Sequence, residues 1–93
     1  MPFEGIYHPE VKEDIAKLDK TQRERIKKAI ETKLMTFPQK YGKPLRGTLK
    51  GYWKLRVGNY RIVFKFKDEN TILIFAVMHR TEVYPEARNR NRN

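Results

Sequence analysis

The sequence contains neither cysteine nor serine. Without cysteine there is no disulfide framework and no thiolate nucleophile, and without serine there is no serine nucleophile. There is no apolar run of about 18 residues, so we expect no membrane span. The first ten residues also lack the pattern of a secretory signal, and these absences together favour a cytoplasmic protein.

Motifs for metal and nucleotide chemistry are also missing from the chain. It has no His-Glu-x-x-His sequence, no acidic metal cluster, no P-loop and no dinucleotide-binding fingerprint. A metal-dependent nuclease needs clustered carboxylates, and here the acidic residues are scattered over predicted helices and turns. We therefore expect neither a metal nor a cofactor.

Positive charge is what the chain has in excess. Its 93 residues include 21 Lys and Arg against 11 Asp and Glu, which gives a formal net charge of +10. A field of this strength on one small domain favours nucleic acid, an anionic membrane surface or an acidic protein as partner. The aromatic content, together with the charge, makes nucleic acid the preferred partner.

Apolar periodicity and turn residues predict a strand, two helices and three further strands. Strands are expected at residues 2–7, 52–57, 60–67 and 71–79, and helices from Pro9 to about Asp19 and from Thr21 to Phe37. Thr21-Gln-Arg-Glu24 has the form of a capping box, and Pro38 ends the second helix. Residues 38–51 are predicted to be a loop that Leu45 and Leu49 anchor.

The predicted fold class is α+β. The elements follow the order β-α-α-β-β-β, and the short break between the two helices predicts an N-terminal α-helical hairpin. Apolar stripes on both helices, such as Val11, Ile15 and Leu18, would cover one face of the sheet. One domain spans residues 1–86, and residues 87–93 are predicted to be a basic, disordered tail.

Residues 52–67, YWKLRVGNYRIVFKFK, predict a tight hairpin around Gly58 and Asn59. The two-residue turn fixes the register, so Arg56 faces Arg61 and the side chains sort onto two faces. One face is an apolar core surface. The other carries Tyr52, Lys54, Arg56, Arg61, Val63, Lys65 and Lys67 with no acidic residue. Because facing like charges destabilise a sheet, this pair of arginines indicates a phosphate site.

The last predicted strand, TILIFAVMH, is apolar on both faces and is expected to be central in the sheet. It ends at His79 and Arg80, and Tyr84 follows shortly after. A central strand delivers such residues to one end of the sheet. We therefore predict that His79, Arg80 and Tyr84 form a functional group there.

Two segments, KPLRGTLKGYWKLRVGNYRIVF and VMHRTEVY, resemble the RelE family of toxins from bacterial and archaeal toxin–antitoxin modules. The resemblance covers about residues 3–86. It implies an α+β fold in which a mainly antiparallel four-stranded sheet packs against the N-terminal α-helical hairpin. It also implies mRNA cleavage, in many members only within the ribosomal A site, and neutralisation by a cognate antitoxin. Basic strand residues of the family match Lys54, Arg56 and Arg61, and its later arginine and tyrosine match Arg80 and Tyr84.

The sequence departs from the family at one position. The best-known members have a Lys-x-Lys pair, and the first of those positions is Tyr52 here. Lys50 is close in sequence but lies before the strand. Lys54 or another group would then serve alone, and His79 is a candidate to share proton transfer.

The resulting hypothesis is metal-independent RNA cleavage, in which the ribose 2′-hydroxyl attacks the adjacent phosphate. Catalytic candidates are Lys54, Arg61, Arg80, Tyr84 and His79, and candidates for binding RNA or phosphate are Arg56, Lys65, Tyr52 and Lys50. Lys54 would be the general base, and Tyr84 or Tyr52 would stack on a base. Two alternatives stay open: a toxin of the ParE branch, which binds DNA gyrase, and a non-catalytic RNA-binding domain.

Overall fold

Five strands form one sheet in the computed structural model, which describes residues 2–92. The elements are β1 (Glu4–Tyr7), α1 (Val11–Ala16), α2 (Lys20–Ala29), a π-helical turn (Ile30–Leu34), α3 (Pro38–Tyr41), β2 (Lys43–Pro44), a 3-10 turn (Gly47–Leu49), β3 (Trp53–Val57), β4 (Tyr60–Phe66), β5 (Thr71–His79) and α4 (Val83–Arg92). The strand order is β1-β5-β4-β3-β2. Only β1 pairs in parallel, with β5, and the other three pairs are antiparallel.

The predicted α+β class is confirmed, but the sheet has five strands rather than four. The additional strand, β2, lies within residues 38–51, which were predicted to be a loop. Lys43 pairs with Lys54 and Pro44 with Trp53. Proline cannot donate to a strand ladder, so β2 is suited to the edge position that it occupies.

The β3–β4 hairpin has the predicted register, with Arg56 opposite Arg61. Gly58 has a φ of +60°, whereas Asn59 has no positive φ, which is the pattern of a type II′ turn. A Cβ atom at Gly58 would also lie 2.8 Å from Nη2 of Arg25 in α2. The backbone angle therefore favours glycine at the turn, and any other side chain would also displace the Arg25 guanidinium.

The predicted apolar stripes form the first core, between the helices and one face of the sheet. Its buried members are Val11, Leu18, Ile26, Ala29, Ile30, Leu34, Leu55, Ile62, Phe64, Ile72, Ile74 and Val77. Phe37 was predicted to extend the stripe of the second helix, but its side chain is 62% exposed. The chain changes direction at Phe37, because this residue is the N-cap position of α3 and Pro38 is the first residue of that helix.

A second core lies on the opposite face of the sheet and is covered by α4. Its buried members are Leu49, Tyr52, Val63, Phe75, Ala76, Val83 and Ala87. The prediction of a disordered tail from residue 87 is therefore wrong for residues 87–92, which continue α4; Asn93 lies outside the described residues. The buried residues Val83, Ala87 and Arg90 are spaced as on one face of a helix, and that face packs on the sheet.

A bulge in the β4–β5 ladder helps to build the second core. Val63 pairs with Ala76, and the next residue, Phe64, pairs with Ile74. The skipped residue, Phe75, and its neighbour Ala76 consequently both contribute to the second core, although strand residues normally alternate between faces.

A buried ion pair joins α4 to α1 and β5. Nη1 of Arg90 donates to Oδ2 of Asp14 at 2.7 Å and to the carbonyl of Phe75 at 2.9 Å. Nη2 of Arg90 donates to Oδ1 of Asp14, and the N–H of Val77 donates to Oδ2 of Asp14 at 3.0 Å. The hydrogen-bonded carboxylate of Asp14 raises the pKa of Arg90 above its ordinary value. The pair therefore fixes the last turns of α4 against the sheet.

The helix starts differ slightly from those predicted. Asp19, not Thr21, caps α2, and its side chain accepts a hydrogen bond from the N–H of Gln22 at 2.8 Å. Aspartate is at least as good a cap as threonine and begins the helix earlier. Pro9 lies in the turn before α1 rather than at its first position. None of the helices among the described residues is long and apolar enough to cross a membrane.

Candidate functional site

Two pairs of like charges lie next to each other on the face of β2, β3 and β4 opposite the first core. Lys43 faces Lys54, and Arg56 faces Arg61. Lys54 and Arg56 are two residues apart on β3, so their side chains leave the same face of the sheet. A cleft of about 260 Å³ is lined by Tyr41, Lys43, Lys54, Arg56 and Arg61, and we call it the basic cleft.

Repulsion between the like charges of the basic cleft destabilises the fold. Facing like charges on a sheet cost about 0.2–1 kcal/mol for each pair. Within the described residues, every ion pair has Arg90 as its cation, so the four cations of the cleft lack a carboxylate partner. Such an arrangement is suited to bind an anion that completes the charge balance.

Arg61 is held in place by its own hairpin turn. Its Nη1 donates to the carbonyls of Gly58 and Tyr60, each at 2.9 Å. These bonds use one terminal nitrogen and leave the other guanidinium donors for a ligand. Arg56 is exposed opposite it, so the two guanidinium groups can approach one phosphate from adjacent strands.

Tyr84 joins this group from the first turn of α4. Its ring centroid lies 5.9 Å from Nζ of Lys54, within the range of a cation–π interaction. The sequence suggested Tyr84 as a neighbour of His79 and Arg80. Packing of α4 across the sheet instead brings it to Lys54, so two predicted site residues meet that are 30 positions apart.

His79 does not reach the basic cleft. In the β4–β5 ladder His79 pairs with Tyr60, whereas Met78 pairs with Arg61. His79 therefore lies on the face opposite Arg61, and its ring centroid is 5.6 Å from that of Tyr60. It lines a separate groove of about 850 Å³ between α1 and α4. The sheet separates His79 from Lys54, which argues against the predicted sharing of proton transfer.

Tyr52, a candidate to stack on a base, lies in the second core, which argues against that role. Only 8% of Tyr52 is exposed, and its ring packs 4.8 Å from that of Phe75 in the second core. Its hydroxyl donates to Oδ1 of Asn91 at 3.0 Å. Tyr52 thus supports α4, and Lys65, with Nζ 5.2 Å from the Tyr52 ring centroid, lies over this aromatic group.

The remaining two candidates, Lys50 and Arg80, are not among the residues that line the basic cleft. Lys50 is exposed and follows the 3-10 turn, just before β3. Arg80 is exposed after β5, and its backbone N–H donates to the carbonyl of Asn59 at 2.8 Å, at the hairpin turn. The structure thus brings Lys54, Arg56, Arg61 and Tyr84 together, and the catalytic and binding roles of all nine candidates stay predictions.

Sequence reasoning missed Tyr41 and Lys43. Both lie in a stretch whose glycines and prolines indicate a loop, and only the pairing of β2 with β3 brings Lys43 opposite Lys54. Tyr41 ends α3 and is 40% exposed. Among Pro2–Arg92 no group of three or more His, Asp or Glu side chains is arranged to hold a metal ion.

Comparison with known proteins gives consistent matches. A family model described as the ParE toxin of the type II toxin–antitoxin system, parDE, matches residues 6–84. Toxin RelG of Mycobacterium tuberculosis (strain ATCC 25618 / H37Rv) is 42% identical over 48 residues, which are 50% of this chain and 55% of that toxin. This chain thus spans about half the length of that curated relative.

Solved structures match over nearly the whole chain. A chain of the toxin–antitoxin complex RelBE2 from Mycobacterium tuberculosis is similar with a TM-score of 0.80 and 29% identity, over 88% of this chain and 95% of that one. A mutant of the E. coli toxin RelE in the free state has a TM-score of 0.71 and 26% identity, over 97% of this chain and 98% of that one.

Proposed function

Because this chain belongs to the ParE toxin family of type II toxin–antitoxin systems, within the RelE/ParE superfamily, we propose that it is a toxin that cleaves mRNA. The observation that carries this proposal is the basic cleft, in which Lys43, Lys54, Arg56 and Arg61 converge without a carboxylate partner among the described residues. Phosphate is the anion that such a set of donors fits best.

In the proposed reaction the ribose 2′-oxygen bonds to the adjacent phosphorus and the bond from phosphorus to the 5′-oxygen breaks. The products are a 2′,3′-cyclic phosphate and a 5′-hydroxyl end. Arg56 and Arg61 hold the phosphate oxygens, on which negative charge increases in the transition state. Lys54, in its neutral form, accepts the proton of the 2′-hydroxyl.

Two further residues complete the proposed mechanism. Arg80, whose backbone is bound to the hairpin turn, stabilises the leaving 5′-oxygen as that oxygen takes a proton from water. Tyr84 stacks on a base next to the phosphate, since its ring lies beside Lys54. His79 takes no part, because it lies on the other face of the sheet.

The proposed partners are the mRNA in the ribosomal A site and a cognate antitoxin, both in the cytoplasm. The similarity to a chain of the RelBE2 toxin–antitoxin complex supports the proposal that an antitoxin binds this protein. The strongly basic charge of +10 supports binding to RNA and to the ribosome.

The test is analysis of the product ends after cleavage by the purified protein, with mRNA on translating ribosomes in a Mg²⁺ buffer and, in parallel, with free RNA at high protein concentration with and without EDTA. We expect cleavage to persist under chelation and to leave cyclic phosphate and 5′-hydroxyl ends. Arg61→Ala should slow cleavage by about 10²–10³-fold, as loss of one preorganised charge-stabilising donor does. Lys12→Ala, an exposed cation on α1, is the matched control. Loss of cleavage in EDTA, or 5′-phosphate ends, would sink the mechanism.

The match to the ParE family favours a second candidate function, inhibition of DNA gyrase by binding. A supercoiling assay with purified gyrase separates the two functions. If the wild-type protein inhibits gyrase and leaves mRNA intact, and if the Arg61→Ala variant is still toxic to cells, the gyrase function replaces RNA cleavage. RNA binding without cleavage or growth arrest would instead indicate a non-catalytic RNA-binding domain.

A further inference from the structure

Two exposed aromatic rings lie beside the basic cleft. Phe37 is 62% exposed and Tyr41 is 40% exposed, and the two are four residues apart at α3. Among residues 2–92, the other large apolar side chains with comparable exposure, Ile6 and Tyr7, belong to β1 at the opposite edge of the sheet. Burial of an aromatic side chain contributes about 1.5–3 kcal/mol, so two neighbouring exposed rings offer apolar surface to a ligand if the chemistry around them fits one.

Lysines surround both rings. Nζ of Lys40 lies 5.9 Å from the Phe37 ring centroid and 5.4 Å from that of Tyr41, and Nζ of Lys33 lies 5.5 Å from the Tyr41 centroid. Neither ammonium group has a carboxylate partner within the described part of the chain. A surface of exposed rings and unpaired cations fits single-stranded nucleic acid, whose bases stack while its phosphates bind cations.

The rings are continuous with the basic cleft, because Tyr41 lines it together with Lys43 and Lys54. Their backbone is also held in place. The N–H of Tyr41 donates to the carbonyl of Phe37 at 3.2 Å, and the N–H of Gly42 donates to that of buried Pro38 at 2.9 Å. A rigid support lowers the conformational entropy that binding would otherwise cost.

We propose that Phe37 and Tyr41, flanked by Lys33 and Lys40, form a base-stacking subsite for the RNA strand whose phosphate binds in the basic cleft. This inference rests on the proposed RNA-cleaving function and adds a substrate contact to it. RNA is favoured over a polypeptide because Tyr41 adjoins the four cations of the cleft, which lack a carboxylate partner among the described residues, and because two more cations lie over its ring.

The test is single-turnover cleavage of ribosome-bound mRNA at increasing protein concentration, compared for wild type, Phe37→Ala and Tyr41→Ala. Stacking on an aromatic ring is worth about 1–3 kcal/mol per base, so each variant should raise the half-saturating concentration about 5- to 150-fold. The cleavage rate at saturation should stay near that of wild type, since the lost contact lies outside the reacting atoms.

Conservative variants and a matched control make the test specific. Tyr41→Phe and Phe37→Tyr keep a ring and should retain wild-type half-saturation. Tyr7→Ala removes a ring that is 51% exposed at the other edge of the sheet, and it should have no effect. In addition, one abasic nucleotide in the RNA should weaken wild-type binding and add no further loss in the Tyr41→Ala variant.

Binding is measured separately with RNA that carries 2′-deoxy substitution at the cleavage site and 2-aminopurine at successive positions. Wild type should quench the fluorescence at one position, and Tyr41→Ala should not. Unchanged half-saturation and quenching in both alanine variants would overturn the subsite. If these variants lose only antitoxin binding, the rings contact the protein partner and the inference is wrong. If wild type quenches this RNA but does not cleave unmodified mRNA on ribosomes, the nuclease function fails while the stacking subsite stands.

Discussion

Removal of the buried Arg90 guanidinium should be among the most damaging single changes outside the first core. Its side chain is 4% exposed and that of its partner Asp14 is 2% exposed. Arg90→Ala leaves a buried carboxylate with one remaining bond, from the N–H of Val77, and leaves the carbonyl of Phe75 without its guanidinium donor. Both losses occur where water cannot easily replace the missing donor.

The expected cost is about 3–5 kcal/mol, the usual result of breaking a buried ion pair by removing one partner. A domain of this size has a total stability of about 5–15 kcal/mol, so the variant should lose about a fifth or more of its free energy of unfolding. Because the pair is buried, moderate salt should change this cost little.

Urea unfolding of purified wild type and Arg90→Ala, with hydrogen exchange of the α4 amides, measures the effect. Exchange should rise first in α4, since that helix loses its attachment to β5. Arg88→Ala is the matched control, because Arg88 is an exposed arginine of the same helix. If Arg90→Ala costs no more than about 1 kcal/mol, the value of an exposed ion pair, the reasoning is refuted.

Three further expectations concern other contacts. Arg56→Thr should stabilise the fold by about 0.2–1 kcal/mol, because it removes a charge facing Arg61, and should weaken RNA binding; urea unfolding and an RNA-binding titration measure the two effects. Tyr52→Phe should lower the free energy of unfolding by about 0.5–1.5 kcal/mol, because the hydrogen bond to Asn91 is lost, and should leave RNA affinity unchanged in the same two assays. Reduced affinity would indicate that Tyr52 contacts RNA directly. Asp68 accepts a backbone N–H at 2.8 Å, which holds its pKa below the ordinary value. The ionised Asp68 carboxylate therefore stabilises the fold fully above about pH 4, and this contribution is lost as the pH falls further. In urea titrations at decreasing pH, an Asp68→Asn variant should lose less free energy of unfolding than wild type.

The hairpin and the first core were predictable because their determinants are local. Gly58 and Asn59 define a two-residue turn, which sets the pairing of Arg56 with Arg61 without reference to the rest of the chain. The apolar stripes of the helices likewise follow from a period of 3.6 residues. The predicted resemblance to RelE toxins and the α+β class are both confirmed.

The end of the chain was mispredicted for a physical reason. Residues 87–92 have one small apolar residue and several charges, which is a composition typical of a solvated end. What holds them is the bond from Arg90 to Asp14, which lies 76 positions earlier, and no local pattern indicates such a partner. Helices of this length depend on tertiary packing more than on intrinsic propensity.

The sequence by itself determined which side chains share each face of the hairpin, since alternation along a strand is a local property. Only the tertiary structure decided which residues complete the site. Pairing of β2 with β3 brings Lys43 to Lys54, and packing of α4 brings Tyr84 there. The β4–β5 register sends His79 to the other face. Each of these outcomes depends on contacts between segments far apart in the chain, whose relative positions are set by the packing of the whole sheet and both cores.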